Sequence, residues 1–226
     1  METLKDHNVS FIIPTINEGK TIGKVIDGIL YNFSKCEIIV VDTNSTDDTR
    51  SVAASKGAIV IEEPRKGYGR AYQTGLQRAS GDIFVCLDGD GTYPTDIIRP
   101  LIEILLMDEV DFISCDRMKL RTNMSYTTLH YVGNIVLNLT VRIFFKMSIN
   151  DSQSGMWVFR SSLYKKMKNL GNGMSFSQNI KIEAAKNGKF LEIPVKYGER
   201  ITKPKLNTWR DGFRNLFELF VKRVSG

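Results

Sequence analysis

The first half of the chain alternates between short apolar runs and segments whose apolar residues recur every three or four positions. A short apolar run bounded by turn residues is typical of a buried strand, and the wider spacing is typical of an amphipathic helix. The pattern predicts five strands in this half, at Val9–Ile13, Glu37–Val41, Ala58–Ile61, Ile83–Leu87 and Val110–Cys115.

Helical segments separate these strands. Ile22–Leu30 has helical spacing, Ser45 or Thr46 can cap a second helix, Gly67–Ala79 reads as a third, and Pro94 is expected to start a fourth. A β-α-β-α order favours an α/β fold with a mainly parallel central sheet, helices on both faces and right-handed crossovers. Ligands of such sheets bind beyond the carboxyl ends of the strands.

The second half is less regular. Helices are predicted at Leu129–Phe145 and Ser175–Asn187, and strands at Gly155–Phe159 and Phe190–Val195. Asn207–Val224 predicts a final amphipathic helix, with aromatic and aliphatic residues on one face and basic residues on the other. This pattern is typical of a helix lying in a membrane interface, and equally of a terminal helix packed on its own domain or on a second subunit.

The length suits one α/β domain or a domain with an appendage, and the composition is that of a globular protein. The chain has 226 residues, of which 42% are hydrophobic and 25% charged. We predict an α/β domain over residues 1–206 and an amphipathic helix over residues 207–226. The net charge is +6, and from Lys196 onward eight basic residues face three acidic ones, which gives +5 in that segment alone. A basic end indicates an anionic partner.

Three cysteines, Cys36, Cys86 and Cys115, lie in or beside apolar runs without metal-ligand spacing. They predict buried free thiols and a reducing, cytoplasmic environment. The first residues are polar and charged, so no signal peptide is expected. No run of 18 or more apolar residues occurs, so no spanning helix is expected either.

Two carboxylates follow the fourth predicted strand directly. Asp88 and Asp90 are separated by Gly89 and followed by Gly91. Mg²⁺ binds one or two carboxylates and completes its shell with water and substrate phosphates, and glycines allow close approach of a ligand. The pair predicts a divalent-cation site at the carboxyl edge of the sheet. A solvated Asp-Gly turn is the alternative.

Three further loops are predicted to face the same crevice. Asp42 ends the second strand and can accept from a base or ribose, or cap the next helix. Arg65–Arg70 offers cations and backbone N–H groups at a helix N-terminus, which suits anions, although a solvated basic turn would look the same. Arg200, Lys203 and Lys205 form a basic loop that can close on phosphates or simply carry surface charge.

Together these segments resemble the family 2 glycosyltransferases, in order and in spacing over roughly residues 8–206. The resemblance is carried by Pro14–Glu18, Val40–Asp42 with Ser45–Asp47, Lys66–Gly69 and Asp88–Asp90. It implies a Rossmann-like, nucleotide-sugar-binding domain of the GT-A type and a hexosyltransferase activity.

The second half resembles one branch of that family, the dolichyl- or polyprenyl-phosphate hexosyltransferases, which include the dolichol-phosphate mannose and glucose synthases. The matching segments are Arg117, His130 with Gly133-Asn134, Asp151–Met156, Glu192–Val195, and Arg200 with Lys205-Leu206. This resemblance implies a metal-dependent, inverting transfer of a hexose from a nucleotide sugar, UDP- in preference to GDP-linked, to a polyprenyl or dolichyl phosphate.

The resemblance also implies roles for the matching positions. Asp88 and Asp90 would bind Mg²⁺ or Mn²⁺, Arg117 and His130 would lie near the acceptor phosphate, and Asp90, Arg117 and Arg200 would be catalytic. The nucleotide sugar would contact Pro14, Thr15, Glu18, Asp42, Lys66, Gly67, Asp88 and Lys205.

The chain departs from the family pattern at three places. Ile16 stands where an aromatic residue is common, Thr43 where a second acidic residue is common, and Gln178-Asn179 where a carboxylate is common. Transfer to a sugar hydroxyl needs a general base, whereas a phosphate oxygen is already anionic and needs none. The missing carboxylate therefore favours a lipid-phosphate acceptor.

Two other enzyme classes and one binding function are alternatives. A glycosyltransferase with a hydroxyl acceptor remains open. A sugar-phosphate nucleotidyltransferase would carry a Gly-rich basic loop after the first strand, where this chain has Pro14–Glu18. Nucleic-acid binding is not expected, because the acid pair would repel phosphates without a metal. The expected partners are a nucleotide sugar, a lipid phosphate and a membrane surface contacted peripherally, at its cytoplasmic face, with a second copy or a membrane protein as further candidates.

Overall fold

The computed structural model describes residue 4 and residues 7–120, 128–201 and 208–225. Within those ranges the chain forms seven strands in one sheet and eight helices. The strands are β1 (Val9–Thr15), β2 (Glu37–Asp42), β3 (Ile59–Glu62), β4 (Ile83–Cys86), β5 (Phe112–Asp116), β6 (Trp157–Arg160) and β7 (Phe190–Pro194). The helices are α1 (Gly19–Asn32), α2 (Thr49–Ser55), α3 (Tyr68–Arg78), α4 (Ile98–Met107), α5 (Thr128–Phe145), α6 (Ser161–Tyr164), α7 (Phe176–Asn187) and α8 (Thr208–Ser225).

The sheet has the strand order β3-β2-β1-β4-β6-β5-β7. Its neighbours pair in parallel except around β6, which is antiparallel to both β4 and β5. The prediction of a mainly parallel sheet between helices is confirmed. Consequently the carboxyl ends of β1, β2, β4 and β5 lie along one edge, and the loops that follow them can share a ligand.

Two apolar layers cover the sheet. On one face α1 and α4 pack on β1 and β4 through residues such as Ile22, Leu105 and Val85, all fully buried. On the other face α3 and α7 pack through Tyr72 and Phe176, whose rings stack at 5.6 Å. Both faces of the central strands are thereby covered by helices.

Three elements differ from the sequence prediction. The second helix begins at Thr49, after Asp48, and not directly after Ser45 or Thr46. The fourth helix begins at Ile98 and not at Pro94. Thr92 and Tyr93 are buried in the loop after β4, where Thr92 bonds back to Asp90, so the chain turns helical only beyond them. The four-residue α6 was not predicted, because a single turn leaves no periodic signal.

The final helix packs on the domain along one side. Leu219 of α8 is fully buried against Leu137 and Val141 of α5, and Phe144 meets Phe220 edge-on at 4.8 Å. The opposite side of α8 stays exposed, including Phe213 and Phe217. Within the described residues, no helix combines the length and the apolar character needed to cross a bilayer.

Candidate active site

A cavity of about 310 Å³ opens at the carboxyl edge of the sheet, where the sequence predicts the ligand crevice. Loops after β1, β3, β4 and β5 meet there with residues preceding and within α7. The predicted site residues that line it are Pro14, Thr15, Glu18, Lys66, Gly67, Asp88, Arg117 and Arg200.

The two carboxylates after β4 have different surroundings. Asp88 is half-buried, lines the cavity and accepts a hydrogen bond from Tyr68 Oη at 3.0 Å. Asp90 is 1% exposed, and its Oδ1 accepts from the backbone N–H and the hydroxyl of Thr92 at 3.1 and 2.6 Å. Burial, and then the charge of Asp90, raise the pKa of Asp88 to about 7. The two carboxyl groups are thus held together at a site that disfavours the charge of Asp88.

The second oxygen of Asp90 faces a cation. Arg200 Nη2 lies 2.5 Å from Asp90 Oδ2 and forms an ion pair with it. This buried oxygen accepts no hydrogen bond from the described part of the chain. The loop that carries Arg200 therefore reaches over the acid pair, as its basic composition predicts.

The acid pair fits a divalent metal ion. Its donors are hard carboxylate oxygens, one of them buried without a hydrogen bond, and one carboxylate has its pKa raised by the other. Among the described residues no cluster of three or more His, Cys, Asp or Glu side chains is suited to hold a metal. Two protein ligands are sufficient where water and substrate phosphates supply the others, as Mg²⁺ sites commonly arrange.

The opposite wall of the cavity is basic and rigid. Arg117 follows β5, is 9% exposed and makes two parallel hydrogen bonds to Asp151, from Nε at 2.7 Å and from Nη2 at 2.9 Å. Its guanidinium also lies 5.2 Å from the ring centroid of Tyr197. Burial alone would raise the pKa of Asp151, but the Arg117 guanidinium and the Lys181 ammonium hold it below its usual value. The guanidinium is thus fixed in place before any ligand binds.

The loop before α3 is built differently from the sequence prediction. Arg65 does not face the cavity but pairs with buried Glu63, and its hydrogen bonds, with one from Thr74, lower the pKa of Glu63 to about 2. The backbone N–H groups of Gly69 and Arg70 donate to the carbonyls of residues 173 and 172. The prediction that these backbone N–H groups are available to an anion is therefore wrong. Lys66 supplies the cation of this loop to the cavity.

Gly67 occupies a place that no other residue can take easily. Its φ is +145°, and a Cβ there would lie 2.3 Å from the carbonyl oxygen of Asn172. A side chain at this position would push the loop off the segment before α7. Glycine thus sets the wall of the cavity at this point.

Asp42 lies beneath the cavity and is fully buried. Its carboxylate accepts from the backbone N–H of Ser45 at 3.0 Å and from the hydroxyls of Ser45 and Thr15. The neighbouring Thr43, and not Asp42, lines the cavity. Contact of Asp42 with a nucleoside stays a prediction. Lys205, Lys203 and the side chain of His130 on α5 lie outside the described residues.

Several lining residues were not singled out from the sequence. Tyr68 binds Asp88, Tyr197 covers Arg117, and Met174, Gln153 and Ser177 complete the wall. Tyr68 belongs to the Lys66–Gly69 motif, so a signal existed for it. Ser177 and Met174 carry no such signal, because only the packing of α7 brings them to the cavity.

Gln178, at the position where a carboxylate is common, does not line the cavity. It is fully buried; its side-chain oxygen accepts from Gln153, and its amide donates to the carbonyl of Asn215 on α8. Asn215 in turn donates to Gln153 at 3.0 Å. The three side chains tie the cavity wall to α7 and to the final helix.

Sequence comparison identifies the family. The family model "Glycosyl transferase family 2" matches residues 10–168. The chain is 32% identical over 219 residues to the low-salt glycan biosynthesis hexosyltransferase Agl6 of Haloferax volcanii, covering 94% of this chain but 53% of that protein. It therefore spans about half the length of that relative. A dolichyl-phosphate hexose transferase of the same organism is 28% identical over 207 residues, 91% of this chain and 89% of that one.

Solved structures confirm the fold. Glucosyl-3-phosphoglycerate synthase from Mycobacterium tuberculosis, in complex with Mn²⁺, uridine-diphosphate-glucose and phosphoglyceric acid, superposes with a TM-score of 0.75 at 21% identity. The match covers 95% of this chain and 80% of that one. At this identity the likeness establishes the shared architecture, including the mainly parallel sheet predicted from the sequence.

Proposed function

This chain belongs to glycosyl transferase family 2, and from that premise we propose that it transfers a hexose from a nucleotide sugar to a polyprenyl or dolichyl phosphate. Glycosyltransferase activity follows from the family; the donor, the metal and the lipid acceptor are the proposed parts. The name of the dolichyl-phosphate hexose transferase relative supports the acceptor.

The observation that carries the acceptor assignment is the charge of the cavity. Arg117 and Arg200 face it, and among the described lining residues only Glu18 and Asp88 are acidic. Asp88 belongs to the acid pair, and Glu18 follows β1, on the side assigned to the nucleoside. The α7 residue that lines the cavity is Ser177, so that helix offers no carboxylate to take a proton. Such a cavity suits two anionic reactants better than an alcohol acceptor.

The donor fits along the β1 and β3 side of the cavity. Pro14, Thr15 and Glu18 would flank the nucleoside, while Lys66 and Asp88 lie where a diphosphate would reach the acid pair. UDP is proposed ahead of GDP. The solved structure with Mn²⁺ and uridine-diphosphate-glucose supports this choice by its common fold alone.

The proposed reaction is a single displacement. An ionised oxygen of the lipid phosphate attacks the anomeric carbon, the bond from that carbon to the diphosphate oxygen breaks, and the electron pair leaves with the nucleoside diphosphate. No proton has to be removed, so no general base is needed, and the sugar is inverted. Arg117 would hold the acceptor phosphate, and Arg200 would offset the charge of the two anions.

Asp88 and Asp90 would hold Mg²⁺ or Mn²⁺, an ion that when bound would neutralise charge on the departing diphosphate. Tyr68 would keep Asp88 oriented through its hydrogen bond. The buried Thr92 contacts would do the same for Asp90.

Transfer to a lipid phosphate is tested directly with a short-chain polyprenyl phosphate. With UDP-glucose, UDP-N-acetylglucosamine or GDP-mannose and Mn²⁺ or Mg²⁺, we expect one donor to give a product whose mass is that of the acceptor plus one glycosyl residue of that donor, hexosyl or N-acetylhexosaminyl. EDTA should stop the reaction, and added Mn²⁺ should restore it. The matched controls are the same polyprenol without phosphate and a free hexose. Glycosylation of the free sugar with no reaction of the polyprenyl phosphate would instead establish the hydroxyl acceptor.

A membrane contact is proposed for the surface that α5 and α8 share. Both helices expose apolar side chains on it, and basic Arg142, Arg214 and Arg223 are exposed on the same helices. Apolar and basic groups together suit an anionic lipid surface. The cytoplasmic face is proposed on the same grounds as in the sequence, the free cysteines. The exposed apolar residues are Val132, Ile135, Val136, Leu139, Ile143, Phe213, Phe217, Phe220, Val221 and Val224.

Phe217→Glu should weaken binding to vesicles of anionic lipid by about tenfold, since a phenyl group that would be buried in lipid is replaced by a charge. Phe217 is 68% exposed, so the fold should be retained. Flotation with vesicles measures the effect, and Tyr31→Glu, at an exposed aromatic on α1, is the matched control. Equal flotation of wild type and Phe217→Glu would remove α8 from the membrane contact.

A further inference from the structure

A fully buried lysine lies behind the basic wall of the cavity. Lys181 is on α7, is 0% exposed and does not line the cavity. Its Nζ donates to the carbonyl oxygen of Asp151 at 2.5 Å and to Ser154 Oγ at 2.7 Å. An ammonium group buried this completely is unusual and costs free energy unless it is paired.

The loop that Lys181 holds is the one that orients Arg117. Asp151 binds the guanidinium of Arg117 with both carboxylate oxygens, and its backbone carbonyl is bound by Lys181. The same loop carries Gln153 to the cavity wall two residues later. Any shift of this loop therefore moves the cation that faces the reactants.

A second, half-buried group fixes the loop from the other side. Glu192 on β7 accepts from the backbone N–H of Asn150 at 2.6 Å and of Asp151 at 2.9 Å. The loop is thus bound at its N–H groups by an anion and at its carbonyl by a cation. With Arg117 and Asp151 the cluster contains two positive and two negative side chains.

The charges of this cluster depend on one another. Burial lowers the pKa of Lys181 to about 8, while Asp151 and Glu192 oppose that shift and Arg117 adds to it. Cys115 also faces the ammonium group. The two carboxylates therefore favour the ammonium form that burial disfavours.

We propose that Lys181 is a positioning residue for the acceptor phosphate, acting by locking the 150–154 loop so that Arg117 presents its guanidinium to the cavity. This rests on the proposed function. Lys181 itself touches neither reactant. A role in stability alone would affect donor and acceptor binding together, whereas positioning of Arg117 affects the acceptor.

Lys181→Met, which keeps the length of the side chain and removes its charge and donors, is the central variant. We expect the KM for polyprenyl phosphate to rise by about tenfold or more, because small displacements of a positioned group are costly. The KM for the nucleotide sugar and the binding of UDP should stay within about twofold. Lys186→Met, on the same helix but half exposed, should change neither value.

Two further measurements keep the inference falsifiable. In wild type the Arg117 Nε–H is buried in its bond to Asp151, so its hydrogen exchange, followed by NMR, should be slow and should accelerate in Lys181→Met. In a double-mutant cycle with Arg117→Lys, the two effects on acceptor KM should be clearly less than additive. Should Lys181→Met not fold, Ser154→Ala, which removes one of its two acceptors, is judged by the same criteria.

Additive effects, or equal losses for donor and acceptor, would overturn the positioning role. So would unchanged acceptor KM together with unchanged exchange at Arg117. A wild-type protein that makes no lipid-linked hexose would instead refute the proposed function, while the exchange of Arg117 Nε–H and UDP binding would still report on the loop.

Discussion

Asp90→Asn will abolish hexose transfer, with a loss of about 100- to 1000-fold in turnover, while the protein stays folded. Asparagine has the shape of aspartate and keeps an oxygen to accept from Thr92, but it no longer carries the charge that faces Arg200. One of the two anions proposed to hold the metal is gone. The measurements are turnover at saturating donor and Mn²⁺, and calorimetric Mn²⁺ binding in the presence of UDP.

Two measurements distinguish the loss of turnover in Asp90→Asn from unfolding: the pKa of Asp88 and the melting temperature. Because the charge of Asp90 is one of the causes that raise the pKa of Asp88, the pKa of Asp88 should fall in the variant. The melting temperature should not decrease by more than a few degrees. Asp96→Asn, at an exposed aspartate shortly after the pair, is the control and should have wild-type turnover. Near-normal turnover of Asp90→Asn would remove the acid pair from the reaction.

Arg117→Ala will lower the free energy of unfolding at pH 7 by about 3–5 kcal/mol, in addition to impairing transfer. Removing one partner of a buried ion pair leaves the other as an uncompensated charge. Asp151 is 0% exposed and would lose two side-chain hydrogen bonds at once. Urea unfolding measures the loss, and Arg78→Ala, at an exposed arginine on α3, should stay within about 0.5 kcal/mol of wild type.

The loss of stability in Arg117→Ala should depend on pH. In the wild type the pKa of Asp151 is lowered by folding, so its pairing stabilises the protein above the unfolded pKa, about 3.9, and the stabilisation is lost as the pH falls through the folded pKa. In Arg117→Ala, burial is opposed by Lys181 and by the backbone N–H of residue 117, without the guanidinium, so the pKa of Asp151 rises. The difference in stability between the two proteins should therefore be largest at neutral pH and shrink as the pH falls from the raised pKa of Asp151 in the variant towards its lowered pKa in the wild type. A difference independent of pH would show that lost packing, and not the charge of Asp151, destabilises the variant.

The central strands of the sheet could be predicted because they are buried on both faces. Continuous apolar runs such as Ile83–Leu87 have few other places in a fold of this size, and the structure puts β4 at residues 83–86. The orientation of β6 could not be predicted. Its residues are as apolar in an antiparallel pair as in a parallel one, so Gly155–Phe159 predicted a strand without predicting its direction.

The residues of the candidate site also divide into those that the sequence predicts and those that it does not. The acid pair could be recognised from the sequence, because two aspartates separated by a glycine directly follow a buried strand. Lys181 gives no signal, because a lysine in a helix is usually solvated. Its burial results from α7 being covered on all sides between residues 176 and 184. For Asp42 the sequence signal is stronger than the structural one. Its position at the end of β2 predicts ligand contact, but its carboxylate is already bonded to Thr15 and Ser45.

The place of β6 between β4 and β5 has a consequence for how the protein is made. β1 to β4 pair with one another, whereas both neighbours of β5 come later in the chain. Once residues up to about 150 have emerged from the ribosome, β1 to β4 are able to assemble the acidic half of the crevice. At that stage β5 is still unpaired. The half of the crevice that contains the arginines cannot assemble before residues 157–194 have been translated. The pairing of β5 with β6 and β7 is long-range and is expected to limit the rate of the final folding step.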